Sequence, residues 1–179
     1  MAIITLNNNS LSSVTALPAA IPTGKVLQVV TANKTDTFST SSTSYTDVTG
    51  LSVSITPSSS SNKIFVMAHA AIDHGDSRAM MIQLVRGSTA LHIGTAASNR
   101  PGATFFTFSD QGGDNTVHYT GAFQYLDTPS TTSATTYKLQ ARISSLNAGY
   151  INRTRNDNDS NSNARAASGI TVMEIAGWL

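Results

Sequence analysis

The sequence predicts an all-β protein, an antiparallel β-sandwich or jelly roll preceded by an extended N-terminal arm. After residue 24, apolar and polar residues alternate with a period of two in one short run after another. No segment shows a convincing amphipathic helix, and glycine- or proline-containing turns separate the runs at a spacing typical of sandwiches and jelly rolls. We therefore expect an arm over residues 1–24 and a single head domain over residues 25–179.

The N-terminal segment differs from the rest in composition. Residues 1–24 carry no charged side chain and are rich in Asn and Ser, and Pro18 and Pro22 prevent a long helix. Because such arms stay mobile unless something holds them, we expect this one to pack on a neighbouring subunit or on another protein. The residues that we expect to anchor it are Ile4, Leu6, Leu11, Val14, Leu17 and Ile21.

The strands of the head can be placed in order from Lys25. We predict strands over residues 25–31, 64–72, 80–86, 89–93, 103–108, 116–127, 137–143, 148–154 and 170–177, with two short strands on either side of Gly50 within 44–56. The alternation after Gly50 directs Leu51, Val53 and Ile55 inward. The run 64–72 is apolar on both faces and is therefore predicted to be buried on both sides.

Composition excludes several classes of partner. Only 12% of the residues are charged and the net charge is +1, so the clustered Lys and Arg of a nucleic-acid-binding surface are absent. The chain has no Cys, which excludes disulfides, thiolate metal sites and Cys nucleophiles. No window approaches 18 uninterrupted apolar residues. We expect no nucleic acid, no membrane and no cofactor among its partners.

Signals for catalysis are poor. Glu174 is the only glutamate and lies in an otherwise apolar strand, where burial could raise its pKa and make it an acid. We favour an ion pair between Glu174 and an arginine, within the chain or across a subunit boundary. No serine lies in a nucleophile elbow and no glycine-rich loop has the spacing of a P-loop. We expect no catalytic residues and no enzymatic activity.

Two polar stretches contain side chains that can bind metal ions. HAAIDHGD holds His and Asp residues, but their spacing matches no zinc motif. NRTRNDNDSNSNAR offers oxygen ligands that calcium prefers, yet lacks the glycine and terminal glutamate of an EF-hand. We expect no metal site at either, although cation binding by the second stretch stays open. The residues expected in exposed loops are Asp73, His74, Asp76, Gln111, Asp114, Asn115, Asp157 and Asp159.

An aromatic stripe marks the strand over residues 116–127. Tyr119, Phe123 and Tyr125 fall on one side of it. Such stripes can stack on sugars, but they belong more often to a sandwich core or a subunit interface. We expect these three side chains, together with Glu174, in the core or at a trimer interface.

Two stretches carry a resemblance to a known family. The first is TGKVLQVVTANKTDTFSTSSTSYTDVTGLSVSITPSSSSNKI, residues 23–64, and the second is SGITVMEIAGWL, residues 168–179. Together they resemble a family of short virion proteins of tailed bacteriophages, which are labelled as tail fibre or structural proteins. Between the two stretches, residues 65–167 match only in the rhythm of their strands.

The resemblance implies a trimeric jelly-roll head, similar in architecture to tumour-necrosis-factor and complement-type heads, on the surface of a virion assembled in the host cytoplasm. We expect a homotrimeric capsid decoration (cement) protein that stabilises the shell. Its arm would contact the major capsid protein or another virion protein. The alternative is a receptor-binding tip of a tail or head fibre, whose loops 73–78, 109–115 and 152–165 would recognise a host surface glycan. The resemblance assigns no individual functional residues.

Overall fold

A computed structural model describes residues 25–74, 79–108, 118–145, 148–161 and 163–177. These residues form β-strands and irregular connections, and they include no helix that could span a membrane. Every residue of the expected anchoring arm lies outside the described ranges, as do Asp76, Gln111, Asp114 and Asn115. Those expectations therefore stay predictions.

The described residues contain eleven strands, and all their pairings are antiparallel. The strands are β1 (Val26–Lys34), β2 (Phe38–Thr40), β3 (Thr46–Ile55), β4 (Lys63–His74), β5 (Ala79–Arg86), β6 (Thr89–Leu91), β7 (Phe105–Phe108), β8 (Tyr119–Asp127), β9 (Thr135–Ile143), β10 (Gly149–Ile151) and β11 (Ser168–Ile175). The short β2 was missed by the sequence prediction, because three residues carry too little alternation to be recognised.

One sheet, here called sheet A, is built around the long strand β4. β8 pairs with one edge of β4, while β11 and β10 follow each other along the other edge. β1 then pairs with β11 and β2 with β10, so that sheet A is four strand positions wide. β10 and β11 therefore occupy the same strand position in sheet A. Residues 152–167, here called the 152–167 loop, connect them.

The second sheet, sheet B, has the order β3-β9-β5, with β6 and β7 sharing the remaining edge of β5. Sheet A has the order β1-β11-β4-β8 across its width. Each sheet has four strand positions, and the chain crosses between the sheets repeatedly, from β2 to β3, β3 to β4, β4 to β5, β7 to β8, β8 to β9 and β9 to β10, as in a jelly roll. The fold class predicted from the sequence is confirmed.

The core lies between the inward faces of the two sheets. The alternation predicted these faces correctly on β3, β4 and β9, since the inward residues are almost completely buried. They are Leu51, Val53 and Ile55 on β3, Ile64, Val66, Ala68, Ala70 and Ile72 on β4, and Tyr137, Leu139, Ala141 and Ile143 on β9.

Two strand predictions were wrong in detail. Residues 46–55 form one strand and not two, because Gly50 adopts a positive φ of 88° within a shift of register between Asp47 and Ser52. β4 is not buried on both sides over its first half, since Met67 is 37% exposed and His69 is exposed as well. Apolar side chains on both faces can reflect an uncovered surface as well as a buried one.

The expectation that Asp73 and His74 lie in an exposed loop was also wrong. Both residues end β4, where β10 pairs beside them, and both are buried. The carboxylate of Asp73 accepts hydrogen bonds from the backbone N–H of His74 (2.6 Å) and of Arg155 (2.7 Å). A short polar stretch resembles a turn in sequence, but here the side chain of Asp73 binds a backbone donor of the chain that follows β10.

Candidate assembly surface

The outer face of sheet A presents a continuous line of apolar side chains. Register places Val29 of β1 opposite Met173 of β11, and Met173 opposite Phe65 of β4. Phe65 in turn lies opposite Leu126 of β8. These four residues, here called the apolar row, cross the full width of the sheet, because alternate side chains of paired strands share one face.

The apolar row is open to solvent in the single chain. Val29 is 55% exposed and Leu126 is 53% exposed, while Phe65 and Met173 are half-buried. With Met67 and Leu27 beside it, the row exposes on the order of 400 Å² of apolar surface, a size at which surface patches mark interaction sites. Isolated exposed apolar residues need no explanation, but a line across four strands does.

Two further rows lie beside the apolar row, and neither contains Asp, Glu, Lys or Arg. They are Thr31, Thr171, Met67 and Gln124, followed by Asn33, Gly169, His69 and Ala122. The small residues flanking His69 leave a shallow depression of about 540 Å³. A Cβ atom at position 169 would lie 3.1 Å from Cε1 of His69, so the absence of a side chain at Gly169 leaves room for the imidazole ring. The face is thus uncharged over three rows, apart from the titratable His69.

The 152–167 loop bounds this face at its far end. Tyr150, which pairs opposite Asp73, is covered by the guanidinium of Arg153 at 4.2 Å from the ring centroid. Arg165 binds the carboxylate of Asp157 at 2.7 Å and lowers the pKa of that carboxyl by its hydrogen bond. Asp159 is exposed, as predicted, whereas Asp157 is half-buried and neutralised by arginine. The 152–167 loop therefore forms a polar border at one end of the uncharged face.

Asn152 holds this loop in place. Its side-chain N–H₂ donates to the backbone carbonyls of Lys34 (2.8 Å) and Asp36 (2.9 Å), and its Oδ1 accepts from the hydroxyl of Ser168 (2.6 Å). It is fully buried and has a φ of 64°, a conformation that Asn tolerates better than most residues. The side chain of Asn152 thus connects the segment between β1 and β2 to the 152–167 loop, which joins β10 to β11. The sequence analysis missed this role, and the only available signal is the preference of Asn for such backbone geometry.

Glu174 does not form the expected ion pair with an arginine in the described part of the chain. It is fully buried, and its carboxylate accepts hydrogen bonds from the side chains of Gln28 and Asn62 and from the N–H and hydroxyl of Ser58. Asn62 also accepts from the N–H of Gly177 at 2.9 Å. The serine-rich turn between β3 and β4 is therefore fastened to β11 by a buried carboxylate with neutral donors.

This arrangement argues against the acid role considered for Glu174. Burial on its own would raise the pKa of the carboxyl, but the hydrogen bonds from Gln28, Asn62 and Ser58 outweigh it and lower the pKa to about 2. The group is ionised throughout the physiological range and has no proton to donate. Glu174 belongs to the core, as predicted, with a structural function in the chain.

Another buried carboxylate, not singled out by sequence, lies in the same row of sheet A as Glu174, since Ile64 of β4 pairs with Glu174 on one side and with Asp127 on the other. Asp127 accepts from Nη1 of Arg86 (2.7 Å) and from the hydroxyl of Tyr137 (2.6 Å). Burial raises the pKa of Tyr137, and the hydrogen bond to Asp127 raises it further. The phenol therefore stays neutral, and the cluster joins β5, β8 and β9 without a free acid or base.

The aromatic stripe closes the open edge of the sandwich. Phe123 and Tyr125 are partly buried and pack against the core. Tyr119 is 41% exposed at the rim and stacks on His74. Phe105 of β7 packs on Phe123 from the other sheet, with ring centroids 6.2 Å apart.

Within the described residues, no group of three His, Asp or Glu side chains could hold a metal ion. No protein-family model matches the chain, and no curated protein matches it. The resemblance to phage virion proteins therefore remains a prediction. The feature of the described surface that is hardest to reconcile with an isolated subunit is the apolar row.

Proposed function

We propose that the protein is a non-enzymatic structural protein of a phage particle that acts as a homotrimer. The observation that supports this proposal is the apolar row, an open and uncharged line of side chains across four strands. The buried carboxylates of Glu174 and Asp127 are both held by hydrogen-bond donors, which supports a rigid head. Such a head is suited to assembly.

Burial of the apolar row gives the energy for association. At about 25 cal/mol per Å², removing on the order of 400 Å² from water contributes about 10 kcal/mol per subunit before the costs of association are subtracted. Because the face has no Asp, Glu, Lys or Arg over three rows, no ion would have to be desolvated to cover it. Contact with other copies of the chain is the simplest use of such a face.

On the particle, the protein would act as a capsid decoration protein. The resemblance of residues 23–64 and 168–179 to virion proteins supports this assignment, as does the jelly-roll head that the resemblance implied. A trimer bound to the major capsid protein would reinforce the shell against internal DNA pressure by burying apolar area between neighbouring capsid subunits. The same resemblance supports the alternative of a receptor-binding fibre tip, for which the exposed Asp159 and Arg165 of the 152–167 loop offer polar contacts to a glycan.

The first test is the mass of the purified protein in solution. We expect a trimer of about 56 kDa, three times the 18.8 kDa of the chain, at micromolar concentration. Leu126→Asp and Val29→Asp, which place a charge in the apolar row, should give folded monomers. The matched control is Thr132→Asp, at an exposed position outside sheet A, which should remain trimeric. A monomeric parent protein would overturn the proposal.

The second test is the copy number in purified phage particles. Hundreds of copies per particle are expected for a decoration protein, whereas a handful of copies together with glycan binding by the isolated trimer would identify a fibre tip. Complete absence from the particles would contradict a virion protein of either kind.

A further inference from the structure

We propose that residues 1–24 of one copy lie across the apolar row of a neighbouring copy, so that the subunits exchange their N-terminal segments. This inference rests on the proposed self-association and names the part of the chain that covers the row. It differs from an arm that is used only to attach the head to the capsid.

The segment and the face match in chemistry. Residues 1–24 carry no charged side chain, and they contain seven Ile, Leu and Val residues. The three rows of the outer face of sheet A likewise carry no Asp, Glu, Lys or Arg, and His69 is their one titratable side chain. Docking would therefore remove apolar groups from water on both sides, and no carboxylate or ammonium group would lose its hydration.

The direction of β1 favours a neighbouring copy over the same copy. β1 runs from Val29 in the apolar row towards Asn33 in the third row, beside the border formed by the 152–167 loop. Followed back from Val29, β1 therefore points beyond the apolar row, away from the rest of its own outer face. To cover that face, the segment would have to reverse its direction immediately before Lys25.

The segment is long enough to reach another subunit. Extended, the 24 residues that precede Lys25 span up to about 80 Å. Four strands at about 4.8 Å spacing are only about 15 Å across, and a head of this size is about 40 Å in diameter. The segment can thus leave one head, cross to the next and still lay several residues along its apolar row.

The shape of the face also suits a strand-like segment better than a second sheet. A stable interface between two globular subunits needs about 800 Å² from each partner, roughly twice the apolar surface that the row and its neighbours expose. Beyond the third row, the 152–167 loop covers the end of the sheet, where Ala71 and Asp73 are buried. The loop would prevent a second flat sheet from packing along the whole length of β4. A single extended segment needs to contact only the apolar row.

The absence of cysteine makes a disulfide-trapping experiment free of background. One form of the full chain would carry Leu126→Cys in the apolar row, and a second form, with a different affinity tag, would carry Leu6→Cys, Leu11→Cys or Leu17→Cys. After the two forms are mixed, dissociated, reassembled and oxidised, non-reducing electrophoresis would report any bond between the two tags. Thr132→Cys replaces Leu126→Cys in the control, since it is exposed on a loop outside sheet A.

A disulfide between the two tags, at least tenfold more abundant than with Thr132→Cys, is the expected result. Both cysteines are then placed in one chain as a second measurement. A bond that forms only within that chain would show that the segment covers its own face, and would overturn the exchange. No bond from any of the three segment positions would overturn it as well.

A deletion of residues 1–24 separates this inference from the proposed function. If the exchange is correct, the full chain is a trimer and the deleted chain is a folded monomer by mass and circular dichroism. A trimer in both forms would leave the self-association intact and overturn the exchange alone. A monomeric full chain would overturn both.

Discussion

The substitution Glu174→Gln tests whether the buried carboxylate fastens the serine-rich turn to β11. The glutamine has nearly the same shape but one oxygen and one N–H₂ group in place of two acceptors. If its oxygen faces Ser58 and Asn62, its N–H₂ meets the N–H₂ of Gln28, donor against donor. If the amide of the glutamine at position 174 is flipped, its N–H₂ group faces the donors of Ser58 instead. At least one buried donor loses its acceptor in either orientation.

The magnitude follows from the bonds that are lost. A hydrogen bond to a charged group contributes about 1.5–3 kcal/mol, and an unsatisfied buried donor costs a similar amount. We therefore expect Glu174→Gln to lower the free energy of unfolding by about 3 kcal/mol at pH 7. For a chain of this size, that corresponds to a fall in Tm of about 10 °C.

The loss should depend on pH in a defined direction. The pKa of Glu174 lies at about 2 in the folded protein, below its ordinary value of 4.5, so ionisation of this group stabilises the fold. That contribution is complete above about pH 4.5 and declines as the pH falls towards 2. Because the glutamine does not titrate, the difference between parent and variant should shrink over the same window.

Urea denaturation followed by far-ultraviolet circular dichroism, at pH 7 and pH 3 and at one protein concentration, measures both effects. The control is Asp47→Asn, an exposed carboxylate that accepts from Lys138 (2.7 Å) and should cost less than about 1 kcal/mol. A Glu174→Gln protein within about 0.5 kcal/mol of the parent at pH 7 would refute the argument that this network secures the turn.

Two further substitutions probe the packing that shapes sheet A. Asn152→Ala removes the donor to the carbonyls of Lys34 and Asp36, and alanine tolerates a positive φ less well than asparagine, so the substitution should lower the free energy of unfolding by about 3 kcal/mol. A urea midpoint near that of the parent would contradict the role of Asn152 in holding the 152–167 loop. Gly121→Ala places a methyl group in steric overlap with the ring of Phe105 and should lower the free energy of unfolding by about 1–3 kcal/mol through overpacking. Adding Phe105→Ala should recover part of that cost, whereas simple addition of the two losses would show that the contact does not limit the site.

The faces of the strands could be predicted because alternation encodes them directly. Tyr137 and Leu139 point inward wherever β9 is placed, since a period of two leaves no other face for the apolar side chains. The apolar row was not predicted, because its β4 residue, Phe65, is as apolar as a core residue, and the sequence does not show which face of the strand is covered. That distinction depends on how strands far apart in the chain are layered.

The partners of Glu174 and Asn152 could not be predicted for a related reason. Glu174 binds Ser58 and Asn62 from a turn more than a hundred residues earlier, and these neutral donors leave no charge pattern to read. Asn152 acts on the backbone carbonyl of Lys34, which every residue type possesses. A carboxylate in an apolar strand predicts some compensating group, but neither its chemistry nor its position in the chain.

The central place of β11 in sheet A has a consequence for how the molecule folds. β11 lies between β1 and β4, yet it is the last of the described strands to be synthesised. Pairing Val29 with Met173 closes a loop of on the order of 140 residues, which makes the contact order high and folding correspondingly slow, in the range of milliseconds to seconds. Until β11 arrives, β1 has no partner in sheet A and an edge of β4 is open. The nascent chain is therefore exposed to strand-mediated aggregation during that interval, and since Lys34 at the end of β1 is its only charged residue, rapid completion of β11 is important for its yield in the cell.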